Sequence, residues 1–288
     1  MILRNKDRKI FFLYLSKKKM KSLFSIFALI LFQIVFSQEG NEVFSSFDFE
    51  INSTQKILSD KTKLRESPNL NAIVLDSVDV NQDVKIISRT QELTKIGERN
   101  APWFRISYSK NGIAREGYVF GGNIALGHRK YKDIQFLFGM SSTQKIKKDD
   151  FEYDELVAKI IALQDHQVIA ERSFGMGNSE NLAFYSFKIS ENPGLKNVDV
   201  ILQTLVSGEA CGIPTYEQYF LWTNHSFYPL PKLMNVGDAD VFWHSEEFSF
   251  QKNGKIILKT KEYEKDENEK ETTSEKSKTY FWDGESLK

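Results

Sequence analysis

Cysteine is almost missing from this chain. Cys211 is the only one in 288 residues, so no intramolecular disulfide can form and no thiolate metal cluster can be built from it alone. Proline is scarce, at six, and long runs of Ala, Leu and Glu are absent, which removes the usual material of helix bundles. An excess of charge is missing too. Lys+Arg and Asp+Glu both number 39, for a formal net charge of zero. Nucleic-acid binding draws on a concentrated basic field, so no nucleic-acid partner is expected. His128, His166, His225 and His244 lie far apart, without the short spacing of a metal site. Neither a metal nor a cofactor is expected.

A membrane-length apolar run is also lacking. Residues 23–36 form an apolar stretch of 14, short of the roughly 20 needed to span a bilayer as a helix. Lys17, Lys18, Lys19 and Lys21 precede it, and Ser37 ahead of Gln38 supplies a small residue where a signal would be cut. This is the layout of an export signal over residues 1–37. Met20 offers an alternative start, and an uncleaved anchor is the competing reading. No cysteine closes the run, so lipid attachment there is not expected. Cleavage would leave a periplasmic or secreted protein with no membrane span.

Aromatic residues, by contrast, are plentiful: 23 Phe, 11 Tyr and 4 Trp. Rings and β-branched residues suit strands, and the expected fold class is all-β. The clearest stretch is Trp103-Phe104-Arg105-Ile106-Ser107-Tyr108, followed by a Lys110-Asn111-Gly112 turn and Gly117-Tyr118-Val119. Its period of two places Phe104, Ile106 and Tyr108 on one face and Trp103, Arg105 and Ser107 on the other. Around this hairpin, residues 61–126 carry further short strands: 62–65, 72–78, 84–87 and a closing 121–126. About five strands in so short a span favour closure into a small barrel, which removes exposed edges. Residues 38–57 read as a lead-in strand or linker, and residues 91–101 as a long polar loop.

The ordered set Leu64-Arg65-x-Ser67-Pro68, a turn before Val84, Trp103-Phe104-Arg105-Ile106, Gly117-Tyr118-Val119 and Ile124-x-Leu126 resembles the bacterial SH3-like (SH3b) domain, over residues 58–127. Two departures stand out. Asn81-Gln82 replaces the family's glycine in the turn before Asp83, and the loop at 91–101 is longer than usual. The resemblance implies an envelope module that contacts peptidoglycan or a peptide. Matched onto this chain, the candidate surface is Trp103 and Tyr118 with Arg65 nearby. Aromatic faces bury area at low entropic cost, and an arginine can pair a carboxylate through two hydrogen bonds. The competing reading is that both rings simply cap the barrel core.

Residues 127–132 read as a basic linker, and 133–288 as an antiparallel β-sheet or β-sandwich domain. The stretch 156–163 suits strand or helix, and strand is preferred because Gln164-Asp165-His166-Gln167 makes a hairpin turn. Two hairpins look alike: Tyr219-Phe220-Leu221-Trp222 turning into Ser226-Phe227, and Tyr280-Phe281-Trp282 turning through Asp283-Gly284 into Ser286-Leu287. They suggest a loose internal duplication. The mixed-charge run 261–278 reads as a solvated hairpin loop.

One catalytic arrangement merits weighing. Cys211, with His244 downstream, has superficial echoes of the NlpC-type cysteine peptidases that accompany SH3b domains. A thiol nucleophile wants a base within reach and a helix N-terminus to lower its pKa. Pro214 and the strand-like Tyr216 to Phe220 argue against that helix. The expectation is therefore a non-enzymatic binding or scaffold protein of the envelope. A Cys211 hydrolase and an accessory subunit packing on another envelope protein remain as alternatives.

Overall fold

The structure, a computed structural model, describes residues 44–45, 47–97, 99–148, 151–178, 183–238 and 241–288. The expected export signal, its cleavage point and the alternative start at Met20 lie outside the described residues. Strand is the dominant state, as expected from the aromatic content, and the sheets are antiparallel and include a half-barrel.

The described chain begins with β1 (Phe44–Ser45). A six-stranded sheet follows, made of β2 (Thr54–Lys56), β3 (Thr62–Arg65), β4 (Val74–Val78), β5 (Asp83–Ile96), β6 (Arg99–Lys110) and β7 (Ile113–Phe120), in the order β2-β5-β6-β7-β3-β4. A 3₁₀ turn at Gly121–Asn123 ends β7, and Ile124 returns to bridge Ile57. Next come β8 (Gly127–Tyr131), β9 (Ile134–Lys148), β10 (Phe151–Gln164) and β11 (Gln167–Asn178), a four-stranded meander. The rest forms a nine-stranded sheet with β1: β12 (Phe184–Glu191), β13 (Val200–Ser207), β14 (Thr215–Thr223), β15 (Ser226–Pro229), β16 (Leu233–Asp238), β17 (Phe242–Phe250), β18 (Lys255–Lys265) and β19 (Glu271–Phe281). β19 closes one end of that sheet, pairs among the described residues with β18 alone, and exposes most of its side chains.

Tight turns set several of these registers. Asn111-Gly112, Asp165-His166 and Asn224-His225 all hold positive φ at both central residues. They join the directly paired ends Lys110↔Ile113, Gln164↔Gln167 and Thr223↔Ser226. Two positive-φ residues make the turn whose twist matches that of the flanking strands. The expected hairpin at 164–167 is therefore present, and 156–163 is strand. Both similar aromatic hairpins also form: Trp222 pairs with Phe227, and Trp282 bridges Leu287.

Alternation along β6 buries Phe104, Ile106 and Tyr108 and leaves Arg105 exposed. The core they enter continues without a break into the other sheets. Phe138 meets Phe187 at 5.7 Å between ring centroids, Phe136 meets Trp222 edge-on at 5.1 Å, and Phe174 meets Phe220 at 4.9 Å. Phe47 and Phe49, in the stretch read as lead-in, are buried in the same cluster. Three local readings are corrected. Within 91–101, taken for a loop, Leu93 to Ile96 pair with Arg99 to Pro102 as the ends of β5 and β6. Residues 127–131, taken for a linker, are β8 on the edge of the meander. Most of 261–278 is strand, because β18 and β19 pair from Lys255↔Phe281 to Lys265↔Glu271. Charged side chains alternate there with Thr and Ser on an exposed ribbon, so cross-strand pairing overrides the polar composition.

Candidate functional site

Pairing brings the three family-derived residues onto one face. Arg65 lies opposite Tyr118, which lies opposite Arg105. Trp103, two residues before Arg105, lies opposite Phe120. Directly paired residues share a face of a sheet, and so do residues two apart on a strand. The face is thus Arg65, Tyr118, Arg105, Trp103 and Phe120. Gly117 allows β3 to cross close to β7, since a Cβ there would sit 2.7 Å from the Arg65 carbonyl oxygen.

That face is not an open platform. Trp103 is 2 % exposed. The register of β5 against β6 slips between Arg89 and Leu93, and the Thr90 hydroxyl fills in by accepting from the Trp103 backbone N–H at 2.9 Å. Beyond the slip the hairpin covers the indole, and Trp103 Nε1 donates to Thr94 Oγ1 at 2.9 Å. Trp103 also meets Phe120 edge-on at 5.9 Å. Tyr118 is half-buried and packs against the core.

A cleft of about 380 Å³ remains beside the covered ring. Trp103, Phe120 and Ile96 supply its apolar wall, with Leu70 at one side; Arg65, Arg99, Lys61 and Lys63 are its cations, and Asp60 is a carboxylate on its rim. Tyr118 does not line it. Arg65 is 9 % exposed and spends one donor on the Ala72 carbonyl at 2.8 Å. Arg99 Nη1 donates to the Gly122 carbonyl at 2.7 Å and to Asn123 Oδ1 at 3.1 Å. Its guanidinium lies 5.4 Å from the Phe120 centroid. Burial draws its pKa below the ordinary value, yet a guanidinium remains charged at any physiological pH. Among the described residues neither arginine has a carboxylate within ion-pair distance. Each guanidinium carries five donors, so both keep hydrogen-bonding capacity in a partly dry wall.

Arg99 went unnoticed in the sequence because it sits in a polar stretch with no apolar period. Gly97, at φ +61, was the available signal, since a glycine suited to positive φ marks a hairpin turn. Such a turn places Arg99 opposite Ile96.

Cys211 occupies the exposed turn between β13 and β14. The Gly212 N–H donates to the Gly237 carbonyl at 2.8 Å, and no helix begins at this turn. His244, on β17, sits between Glu246 and Glu262 at 3.6 and 3.4 Å, and no hydrogen bond joins it to Cys211. Among the described residues no helix is long and apolar enough to cross a membrane. No family model, curated protein or solved structure matches the chain.

Proposed function

We propose that the chain is an exported, non-enzymatic binding protein of the cell envelope, and that its six-stranded sheet is an SH3b barrel taking a carboxylate-bearing peptide, free or within peptidoglycan. The observation that carries this reading is the pair of partly buried guanidiniums, Arg65 and Arg99, beside the indole of Trp103 and, among the described residues, without a carboxylate in ion-pair distance. Arginine and aromatic residues in a partly desolvated pocket are the composition of binding hot spots, and a carboxylate would satisfy the idle donors in bidentate fashion. The SH3b reading is supported by the meander β5-β6-β7, the 3₁₀ turn that interrupts the chain after β7, and the return of Ile124 to Ile57. The longer hairpin of this chain shifts the contact surface. Trp103 forms a wall, and Arg99 joins Arg65 in place of an open Trp103–Tyr118 platform. A β-sandwich reading of the remainder is supported by the ring pairs between the meander and the nine-stranded sheet.

The test is co-sedimentation with purified peptidoglycan, comparing the wild type with Arg65→Gln and Arg99→Gln. Thermal melts check that the variants fold. Wild-type pelleting that falls by about ten-fold in both variants, as expected for one lost charge-assisted pair, supports the reading. Pelleting unchanged in both variants, or absent in the wild type together with no binding of soluble cell-wall peptides, rejects it. A second reading, an accessory subunit docking on another envelope protein, draws on the exposed cluster Val241, Phe242 and Trp243.

A further inference from the structure

A second and larger cleft, of about 530 Å³, opens where the segment entering the six-stranded sheet meets β8 and β12. Its volume lies in the range that holds small ligands, roughly 300–1,000 Å³. The apolar surface comes from Phe49, Leu126 and Phe187, all buried. Gly127 brings β8 against β12, since a Cβ there would lie 2.8 Å from the Phe187 Cβ.

Asp48, Glu50 and Arg129 are the charged residues that line this cleft. Glu50 is exposed, and its carboxylate takes part in no hydrogen bond or ion pair among the described residues. Arg129 is half-buried and spends one donor, Nη1, on the His128 carbonyl at 2.9 Å. No carboxylate lies within ion-pair distance of it among the described residues. The neighbouring acid, Asp48, is already held by Arg89 at 3.0 Å, so Arg129 and Glu50 are the charges left to a ligand. Tyr185 is 5 % exposed and also lines the cleft. Burial, and then the Asp48 charge, raise its pKa, so its hydroxyl stays neutral. Burial lowers the pKa of His128, with Lys56 and Arg129 adding to the effect, and its imidazole is therefore neutral at pH 7.

We infer that this cleft binds a small zwitterion with an apolar side chain, an α-amino acid or a dipeptide. Arg129 takes the carboxylate, Glu50 takes the ammonium, and the side chain lies over Phe49, Leu126 and Phe187. An arginine and a carboxylate on one concave surface match a ligand bearing both charges and leave a singly charged analogue with one group unpaired. A neutral His128 can add a directional hydrogen bond without upsetting that balance. The site is separate from the Arg65–Arg99 cleft, and neither proposal depends on the other.

Isothermal titration of the full chain tests the inference with phenylalanine, leucine, and the dipeptides Ala-Phe and Ala-Leu. For the tightest of the four, the N-acetyl and carboxyl-amide derivatives follow. Saturable binding of at least one zwitterion is expected. Either blocked derivative should bind about ten-fold more weakly or worse, because each loses one charge-assisted contact. The free amino acids and the dipeptides separate the two ligand sizes, since peptide extension moves the ammonium away from the carboxylate. Glu50→Gln should erase the preference for a free ammonium, and Arg129→Gln the preference for a free carboxylate. The blocked ligands report on the unmodified protein, so a poorly folding variant does not spoil the test. Equal binding of free and blocked forms, or no saturable binding of any of the four up to about 10 mM, a concentration above which affinity is negligible, overturns the proposal.

Discussion

Asp76 illustrates how much one carboxylate can organise. It accepts from the Tyr108 hydroxyl at 2.7 Å, from Lys110 and from the Ser77 backbone N–H at 2.8 Å. It thereby joins β4 to the far end of β6. The Lys110 hydrogen bond first, then those from Tyr108 and Ser77, hold its pKa far below the usual carboxylate range. A depressed folded-state pKa adds stability that is present above the unfolded value, about 3.9, and is lost as pH falls toward the folded value. The wild type should therefore melt at higher temperature than Asp76→Asn at neutral pH, and the gap should close between about pH 4 and the acid limit. Melting curves over that range test this. A gap that stays constant with pH would assign the effect to packing instead. Part of this was readable in the sequence: alternation put Tyr108 on one face with Phe104 and Ile106. Its hydroxyl partner was not readable, because Asp76 lies 32 residues away in a strand with only a weak pattern.

At the level of elements, β10, β11 and β14 meet through a polar joint. Glu155 is 8 % exposed, accepts from Gln144 Nε2 at 2.8 Å, and pairs with Lys232 at 3.2 Å. Lys232 also donates to the Gly175 carbonyl and lies 5.3 Å from the Tyr216 ring centroid. Tyr216 in turn sits over Gly177, where a Cβ would fall 2.0 Å from the ring and φ is +89. Gly177→Ala should cost roughly 2–4 kcal/mol, because it combines backbone strain with a ring displacement. Urea denaturation gives the number. In a Tyr216→Ala background the ring contribution vanishes, so the cost of Gly177→Ala should shrink; an equal cost in both backgrounds would refute the steric account. None of this joint was visible in the sequence. The strands themselves were, from alternation and from turns such as Asp165-His166. Elements held by pairing rather than by an apolar period were missed: the covering hairpin within 91–101 and the charged stretch of β18 and β19 within 261–278. The candidate site divides the same way. Arg65 and Trp103 came from local motifs, whereas Arg99 reaches the cleft only because a polar hairpin folds over the indole.

Across the whole molecule, one apolar cluster runs from Phe47 to Phe227 and joins all three sheets. Both clefts are set in this shared body, one beside the covering hairpin and one beside β8 and β12. The nine-stranded sheet, however, does not close on itself. Its last strand, β19, has among the described residues one row of backbone groups without a partner strand, and along that strand stand Lys276 and Lys278. A bare strand edge is a template on which further chains can add, and lysines guard against that growth by charge repulsion and by the cost of burying an ammonium. A Lys276→Val, Lys278→Val double variant should keep its fold and scatter light increasingly with concentration, while the wild type does not change. Equal scattering from both would mean that the edge needs no guard. If the guard is real, these two lysines contribute little to folding and a good deal to keeping separate copies of the protein from joining into fibres.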